Sequence, residues 1–322
     1  MNYTICTLFE KHYHLGVAAL INSLYINGYR GSIYAGYRGS LPSWTCFAEE
    51  NSSLNWPGSR TLNSAEDIQI HFLPLDTSNH LTNYKPDLML RLLSGPAVTA
   101  DAIFYFDPDI LVAASWSLFE EWIECGVALC EDVNSPLAVN HPRRVAWRKY
   151  FGEKGINLKF KDSIYVNGGF LGIHVKNKGF LEVWKSLQEL MALQIGGLNK
   201  SIFSSERSLL NYKSPFAPFG KTDQDALNAA VEAWSGNVSF IGKEAMGFKS
   251  GTPFMSHAAG ACKPWKWNPI SQALKGNPPR RIDREYCTFA NGVIVSRSSL
   301  QIKFHKLFIN IALLVGRFYR RN

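Results

Sequence analysis

Two periods alternate along this chain. Residues 3–8 form an apolar run with strand chemistry, and after a polar turn Leu15, Ala18, Ala19, Ile21 and Leu24 recur at helical spacing over residues 15–25. A second strand at 32–37 completes a βαβ opening, the unit from which parallel sheets are built. Residues 38–66 are rich in Ser, Asn and Gly and read as loop, with a short helix near Trp44. The alternation then resumes with strand 68–75, helix 86–98, strand 101–106, strand 127–130 and helix 143–151. It continues with strand 165–175, interrupted by Gly168-Gly169, helices 178–193 and 223–234, and short strands at 238–241 and 254–255. Residues 196–220 read as a loop-rich lid or acceptor wall. No internal repeat is present. The pattern predicts one elaborated α/β domain over residues 1–268, followed by an extension, 269–322.

Chemistry enters at the strand over 101–106, which runs into Asp107-Pro108-Asp109 before a second apolar run, Ile110-Leu111-Val112. Two carboxylates thus stand two residues apart at the carboxyl end of a buried strand, where doubly wound sheets bind ligands. Carboxylates in such a setting need a cation or hydrogen bonds. A pair of hard oxygen donors suits Mg²⁺ or Mn²⁺, whose shell is commonly completed by substrate phosphates. Pro108 between them also fits a plain turn.

Three further segments carry related chemistry. His257, Gly260 and Lys263 have a spacing suited to metal ligation, close backbone approach to a phosphate, and neutralisation of that phosphate. Asp223, Gln224 and Asp225 fall at a helix N-terminus, where Asp223 fits a helix cap equally well. Asn167-Gly168-Gly169 permits a bulge or close approach of a ligand within a strand.

Composition narrows the partners. With 46% hydrophobic and 19% charged residues, the 322-residue chain has material for a large core. The net charge of +8 suggests nucleic acid until it is located: residues 275–322 hold ten basic and two acidic side chains, and the first 274 balance at 24 of each. The body therefore has no basic excess and predicts no nucleic-acid binding, whereas the tail predicts an anionic partner. Within that tail, residues 300–319 place apolar side chains at 300, 304, 307, 308, 311, 314, 315 and 318 among Lys303, Lys306, Arg317, Arg320 and Arg321. The apolar stretch 307–315 is far shorter than the ~20 residues that span a bilayer. A basic amphipathic helix lying on an anionic membrane surface through residues 300–321 fits better; docking on the protein's own body is the other reading. Six cysteines without CxxC spacing read as buried free thiols, and the N-terminus enters a strand at once. These features predict a cytoplasmic protein, peripheral on the cytoplasmic face of the membrane.

Taken in this order, Asp-x-Asp after an apolar strand, Asn-Gly-Gly, Asp-Gln-Asp-x-Leu-Asn and His-x-x-Gly-x-x-Lys-Pro-Trp resemble glycosyltransferase family 8. These are retaining nucleotide-sugar transferases that include bacterial lipopolysaccharide galactosyl- and glucosyltransferases and glycogenin. The resemblance covers residues 1–268. It implies an α/β fold of GT-A type, with a Rossmann-like, mostly parallel sheet flanked by helices, to which the basic amphipathic extension is added. It also implies that Asp107, Asp109 and His257 hold Mn²⁺ or Mg²⁺ against the diphosphate of a UDP-sugar, with Gly260 and Lys263 contacting that diphosphate. Asn167 and Gly168 would lie along the donor sugar, with Asp223 and Gln224 beneath its anomeric carbon. Arg91 stands where the family has an arginine reaching toward the donor, and Glu131 or Asp132 where it has a carboxylate touching sugar hydroxyls. One departure is the segment Thr7-Leu8-Phe9-Glu10, which replaces the acidic or Asn residues that read uracil; Thr7 retains only backbone contacts to offer the base. The implied reaction moves a hexose, galactose or glucose, to a glycan acceptor, lipid-linked or part of a surface polysaccharide. Two other classes share parts of the pattern: a phosphatase with Asp107 as nucleophile, which normally carries its acidic pair on an N-terminal strand, and a non-catalytic, membrane-attached sugar-nucleotide-binding module.

Overall fold

The computed structural model describes residues 1–65, 67–201, 217–266 and 268–318. The chain opens with β1 (Tyr3–Glu10), α1 (His14–Ile26), β2 (Gly31–Arg38), β3 (Glu49–Glu50), β4 (Arg60–Ala65), β5 (Ile68–Pro74) and α2 (Lys85–Leu93). It continues through β6 (Ala102–Phe106), β7 (Ile110–Val112), α3 (Trp116–Glu124), β8 (Val127–Cys130), α4 (Pro142–Gly152), β9 (Phe170–His174) and α5 (Gly179–Ile195). Beyond the undescribed segment come α6 (Thr222–Ala233), β10 (Val238–Ile241), β11 (Met255–His257), α7 (Pro269–Leu274), α8 (Arg281–Phe289) and α9 (Ser299–Gly316).

Nine of these strands form one sheet in the order β10-β8-β9-β6-β1-β2-β5-β4-β3, while β11 and β7 pair separately and antiparallel. The centre, β6-β1-β2-β5, is parallel, and its strands are apolar runs because helices cover both faces. Along β1 the side chains alternate between the two cores: Cys6 and Leu8 enter the one beneath α2, α5 and α6, and Ile5 and Phe9 the one beneath α1 and α3. The mostly parallel α/β sheet expected from the pattern is thus present.

Four elements depart from the expected pattern, each for a physical reason. In the region read as loop, β4 adds antiparallel to the sheet edge; with only Leu62 buried, it lacks an apolar run. Helix α2 stops at Leu93 rather than 98, since Ser94, Gly95 and Pro96 end it. The strand expected over 165–175 begins only at Phe170. Upstream of it, Val166 N–H donates to Asn228 Oδ1, Gly168 N–H to Gln224 Oε1 and Gly169 N–H to Asn167 Oδ1, so side chains of α6 and the turn take hydrogen bonds that a ladder would use. Helix α3, absent from the sequence reading, buries Trp116, Phe119, Trp122 and Ile123 against Phe104 and Phe170. Of residues 196–220, read as a lid or acceptor wall, 202–216 lie outside the described residues. The cysteines are also only half as expected: Cys6, Cys130 and Cys287 are buried free thiols, but Cys46, Cys125 and Cys262 are exposed.

The extension packs on the body. Helix α1 is buried from Gly16 to Leu24 because β7 and the extension cover the side that the sheet does not. Asn22, fully buried on α1, donates to the carbonyls of Phe289 and Ile294 and accepts from Ile294 N–H. No helix among the described residues is long and apolar enough to cross a membrane.

Also on α1, a Cβ at Gly16 would lie 2.1 Å from the carbonyl oxygen of Pro108 and 2.5 Å from the Trp265 ring. The Asp107-Pro108-Asp109 turn therefore rests on α1 where only glycine leaves room. Alanine is the better helix former by about 1 kcal/mol, yet these contacts predict that Gly16→Ala lowers stability by about 1–3 kcal/mol in urea denaturation. A neutral or stabilising result would show that the turn does not bear on the helix.

Candidate active site

A cavity of about 1020 Å³ opens at the carboxyl ends of β1 and β6 and is lined, among others, by Asp107, Asp109, Asn167, Asp223, Gln224 and His257. This is the position that parallel α/β sheets reserve for ligands, because strand ends and helix N-termini converge there. A tight turn closes with Ile110 N–H donating to the Asp107 carbonyl at 3.1 Å, which sets Asp107 at its first position and Asp109 at its third. Antiparallel pairing of β11 with β7 then brings His257 opposite Ile110.

Asp107, Asp109 and His257 each present one ligand atom, all within 4.8 Å of one another. Their environment fits a hard divalent cation. Tyr105 Oη at 2.8 Å and Lys85 Nζ at 3.1 Å both engage Oδ1 of Asp107, which leaves Oδ2 to face the cluster. His257 Nε2 lies 3.4 Å from Asp109 Oδ1, and its Nδ1 is buried with no hydrogen-bond partner among the described residues, an orphan that ligation would satisfy. Gly169 supplies the space: a Cβ there would come within 2.7 Å of the His257 ring and 3.1 Å of Asp107 Oδ2. Lys263 donates to Asp109 Oδ2 and to the Ala258 carbonyl. Burial opposes ionisation of Asp109, but the charges of His257 and Lys263 and their hydrogen bonds outweigh it and hold the carboxyl below the usual carboxylate range.

Sequence reasoning missed Lys85. It lies at the start of α2, a position where lysines are ordinarily solvated, yet it is 2% exposed and reaches Asp107 Oδ1 and Asp223 Oδ2 at 3.1 Å each and the Gly168 carbonyl at 2.7 Å. Burial disfavours its charge; the two carboxylates outweigh that and raise its pKa above the usual lysine value. Asp223 shifts upward as well, because burial and the nearby Asp107 exceed the pull of Lys85. The helix-cap alternative for Asp223 fails: the carboxylate that meets the backbone at the start of α6 is Asp225, which accepts from Lys221 N–H and from Tyr165 Oη at 2.7 Å. Burial raises Asp225 to about 6.

The other predicted residues divide into two groups. Gln224 sits beside Asp223 with its Nε2 buried and unpartnered among the described residues. Asn167 accepts from Gly169 N–H and donates to Asp132 Oδ2 at 2.6 Å; Asn134 and Lys221 hold the other carboxylate oxygen. Burial works against charge on Asp132, and these partners still keep its pKa low. Gly168, Gly260 and Lys263 also line the cavity. Glu131, Arg91 and Thr7 do not. Glu131 bridges Val166 through its backbone. Arg91 stacks 3.5 Å over the Trp56 ring on the outer face of α2. Thr7 is fully buried within β1, whose following residues, from Leu8 to Glu10, reach the cavity instead.

No protein-family model and no curated protein sequence matches this chain. Solved structures do. The apo structure of WbbM, a bifunctional glycosyltransferase, aligns with a TM-score of 0.53 at 14% identity over 95% of this chain, which spans 52% of that protein's length. An active-site mutant of LgtC aligns at 0.50 with 15% identity, over 92% of this chain and 98% of LgtC. LgtC in complex with donor and acceptor sugar analogues, described as a galactosyltransferase, gives 0.49 at 15% identity, over 94% of this chain and 99% of that one. At such identities the likeness is one of architecture: this chain has the α/β fold, of GT-A type, on which the glycosyltransferases WbbM and LgtC are built.

Proposed function

We propose that this protein is a metal-dependent, retaining glycosyltransferase that moves a hexose, galactose or glucose, from a UDP-sugar to a lipid-linked or surface glycan. One observation carries this reading: Asp107, Asp109 and His257 meet in one cavity, which Gly260, Lys263, Asp223 and Gln224 also line. Breaking the bond between an anomeric carbon and a diphosphate puts negative charge on the leaving group. When bound, Mn²⁺ or Mg²⁺ supplies Lewis-acid stabilisation of that charge. Lys263 adds an ammonium on a flexible stem, and the loop adds backbone N–H groups. Lys85 keeps Asp223 in place opposite them, and the orphan Nε2 of Gln224 is a free donor for a sugar oxygen. Asp132, ionised and oriented by Asn134, Asn167 and Lys221, accepts from sugar hydroxyls.

Chelator is expected to abolish hydrolysis and transfer of UDP-galactose or UDP-glucose, and Mn²⁺ to restore both. Asp109→Ala is expected to lower kcat/KM by about 10²–10³-fold. Activity indifferent to chelator and to this substitution would sink the proposal. Phosphate release from a phosphomonoester, with none of the nucleotide-sugar chemistry, would select the hydrolase reading instead.

A membrane-borne acceptor is supported by α9. A Ser298–Gln301 capping box starts this helix, and Ile309, Ala312 and Gly316 face inward, Gly316 against Pro278. Leu300, Phe304, Leu307, Phe308, Ile311 and Leu314 are exposed, with Lys303, Lys306 and Arg317 beside them. One face of the helix docks on the protein, and the other is the apolar, basic-flanked face that suits an anionic lipid surface. In vesicle co-sedimentation the protein should bind phosphatidylserine-containing membranes, and Leu307→Asp with Phe308→Asp should weaken binding at least tenfold without lowering Tm. Equal recovery of wild type and variant with the vesicles would exclude this face as the contact.

A further inference from the structure

Arg280 comes from the extension, outside every motif discussed above, and meets the loop that joins His257 to Lys263. Its Nη1 donates to the Ala259 carbonyl at 3.1 Å and its Nη2 to the Cys262 carbonyl at 2.7 Å. The guanidinium is itself fixed from behind. Asp283, fully buried, takes Nη2 at 3.1 Å and Nε at 3.2 Å, and also accepts the Arg280 N–H at 2.8 Å. A planar fork held on one edge by a carboxylate presents its remaining donors in a set direction, which lysine cannot imitate.

The two carbonyls chosen are informative. A trans peptide is planar, with its C=O and N–H on opposite sides. The Ala259 carbonyl shares a peptide plane with Gly260 N–H, and the Cys262 carbonyl shares one with Lys263 N–H. Drawing both carbonyls toward Arg280 turns both N–H groups away from it. Among the described residues, none of the N–H groups from Ala259 to Lys263 donates to a protein acceptor. Gly260 has φ +90° and nothing within 4 Å of a would-be Cβ, so the backbone there is open to close approach. The loop's entry is tied to the metal-site turn, since Ala258 N–H donates to the Asp109 carbonyl at 2.9 Å. Its exit is fixed by Trp265, whose Nε1 donates to His12 Nδ1 at 3.0 Å.

We infer that Arg280 is a positioning residue that aims the Gly260 and Lys263 amides into the cavity as an anion cradle, and that the extension is thereby part of the diphosphate site. The inference rests on the transferase reading for the identity of the anion, but the cradle's chemistry is that of any diphosphate: two oriented N–H donors beside a lysine and a divalent-metal cluster.

The test uses the full chain and calorimetry in the presence of Mn²⁺, with inorganic pyrophosphate, UDP and UMP as probes. Arg280→Ala is expected to weaken pyrophosphate and UDP at least tenfold and UMP less than twofold, because the lost amides serve the second phosphate. Arg280→Lys should rescue only part of this loss. Asp283→Asn, which frees the fork, should shift the UDP-to-UMP ratio in the same direction and add little to Arg280→Ala in the double variant. A merely structural role would instead weaken all three probes together as Tm falls. That outcome, or unchanged pyrophosphate affinity in both Arg280 variants, overturns the inference. Pyrophosphate binding that depends on Arg280 without any binding of UDP-sugars would uphold the cradle and overturn the transferase reading.

Discussion

Asp107 and Asp223 reach one cavity from distant positions in the chain, and two carboxylates at such close quarters repel unless a cation stands between them. Lys85 is that cation. It is separated by 138 positions from Asp223 and by 83 from Gly168, and it touches both as well as Asp107. Burying two charges and half-burying a third is costly, and the arrangement persists because each charge has a partner. The ammonium holds one oxygen of Asp107 while the other faces Asp109 and His257. It holds Asp223 against the Gly168 turn, whose own amide is occupied by Gln224. The part of the cavity that holds the Asp107-Asp109-His257 cluster and the part that holds Asp223 and Gln224 therefore share a single fixed point.

The order of elements and the acidic turn were legible because both are written in short-range patterns. Apolar runs marked β1, β2, β5, β6 and β8, and the spacing of Phe180, Leu181, Trp184, Leu187 and Met191 marked α5. What escaped is what only the third dimension decides. Strand β4, next to the sheet edge, buries a single leucine, so it carries no apolar run. The backbone from Val166 to Gly169 reads as strand until the side chains of Asn228, Gln224 and Asn167 claim the amides of Val166, Gly168 and Gly169. Lys85 resembles any lysine at a helix start, and Arg91, six residues on, fits the expected arginine in sequence but packs on Trp56 at the outer surface. Thr7 and Leu8 are neighbours in β1, yet the alternation of a strand sends them to opposite faces.

Between body and extension the division visible in the charge distribution is not a division in structure. Asn22 joins α1 to the segment after α8, Arg280 joins α8 to the loop after β11, and Arg297 donates to the Trp265 carbonyl. The basic tail thus has two unlike sides in one stretch of chain. Its inner faces complete the cavity wall, where Arg280, Arg281 and Ile282 appear, and its outer face on α9 is left apolar.

The contact of Gly16 with Pro108 and Trp265 has a consequence for how the molecule comes into being. Three segments from the beginning, the middle and the far part of the chain must arrive at one point before the acidic turn has its final shape. Asn22 spans a still longer interval, 272 positions to Ile294. Contacts of this range repay the entropy of loop closure only after most of the chain is available. During synthesis the β1-α1-β2 unit can form early, but the ligand-binding floor cannot mature until residues beyond 265 have left the ribosome. Until then α1 exposes the apolar shoulder that the extension later covers, so the interval before closure is when the nascent chain is most open to wrong partners.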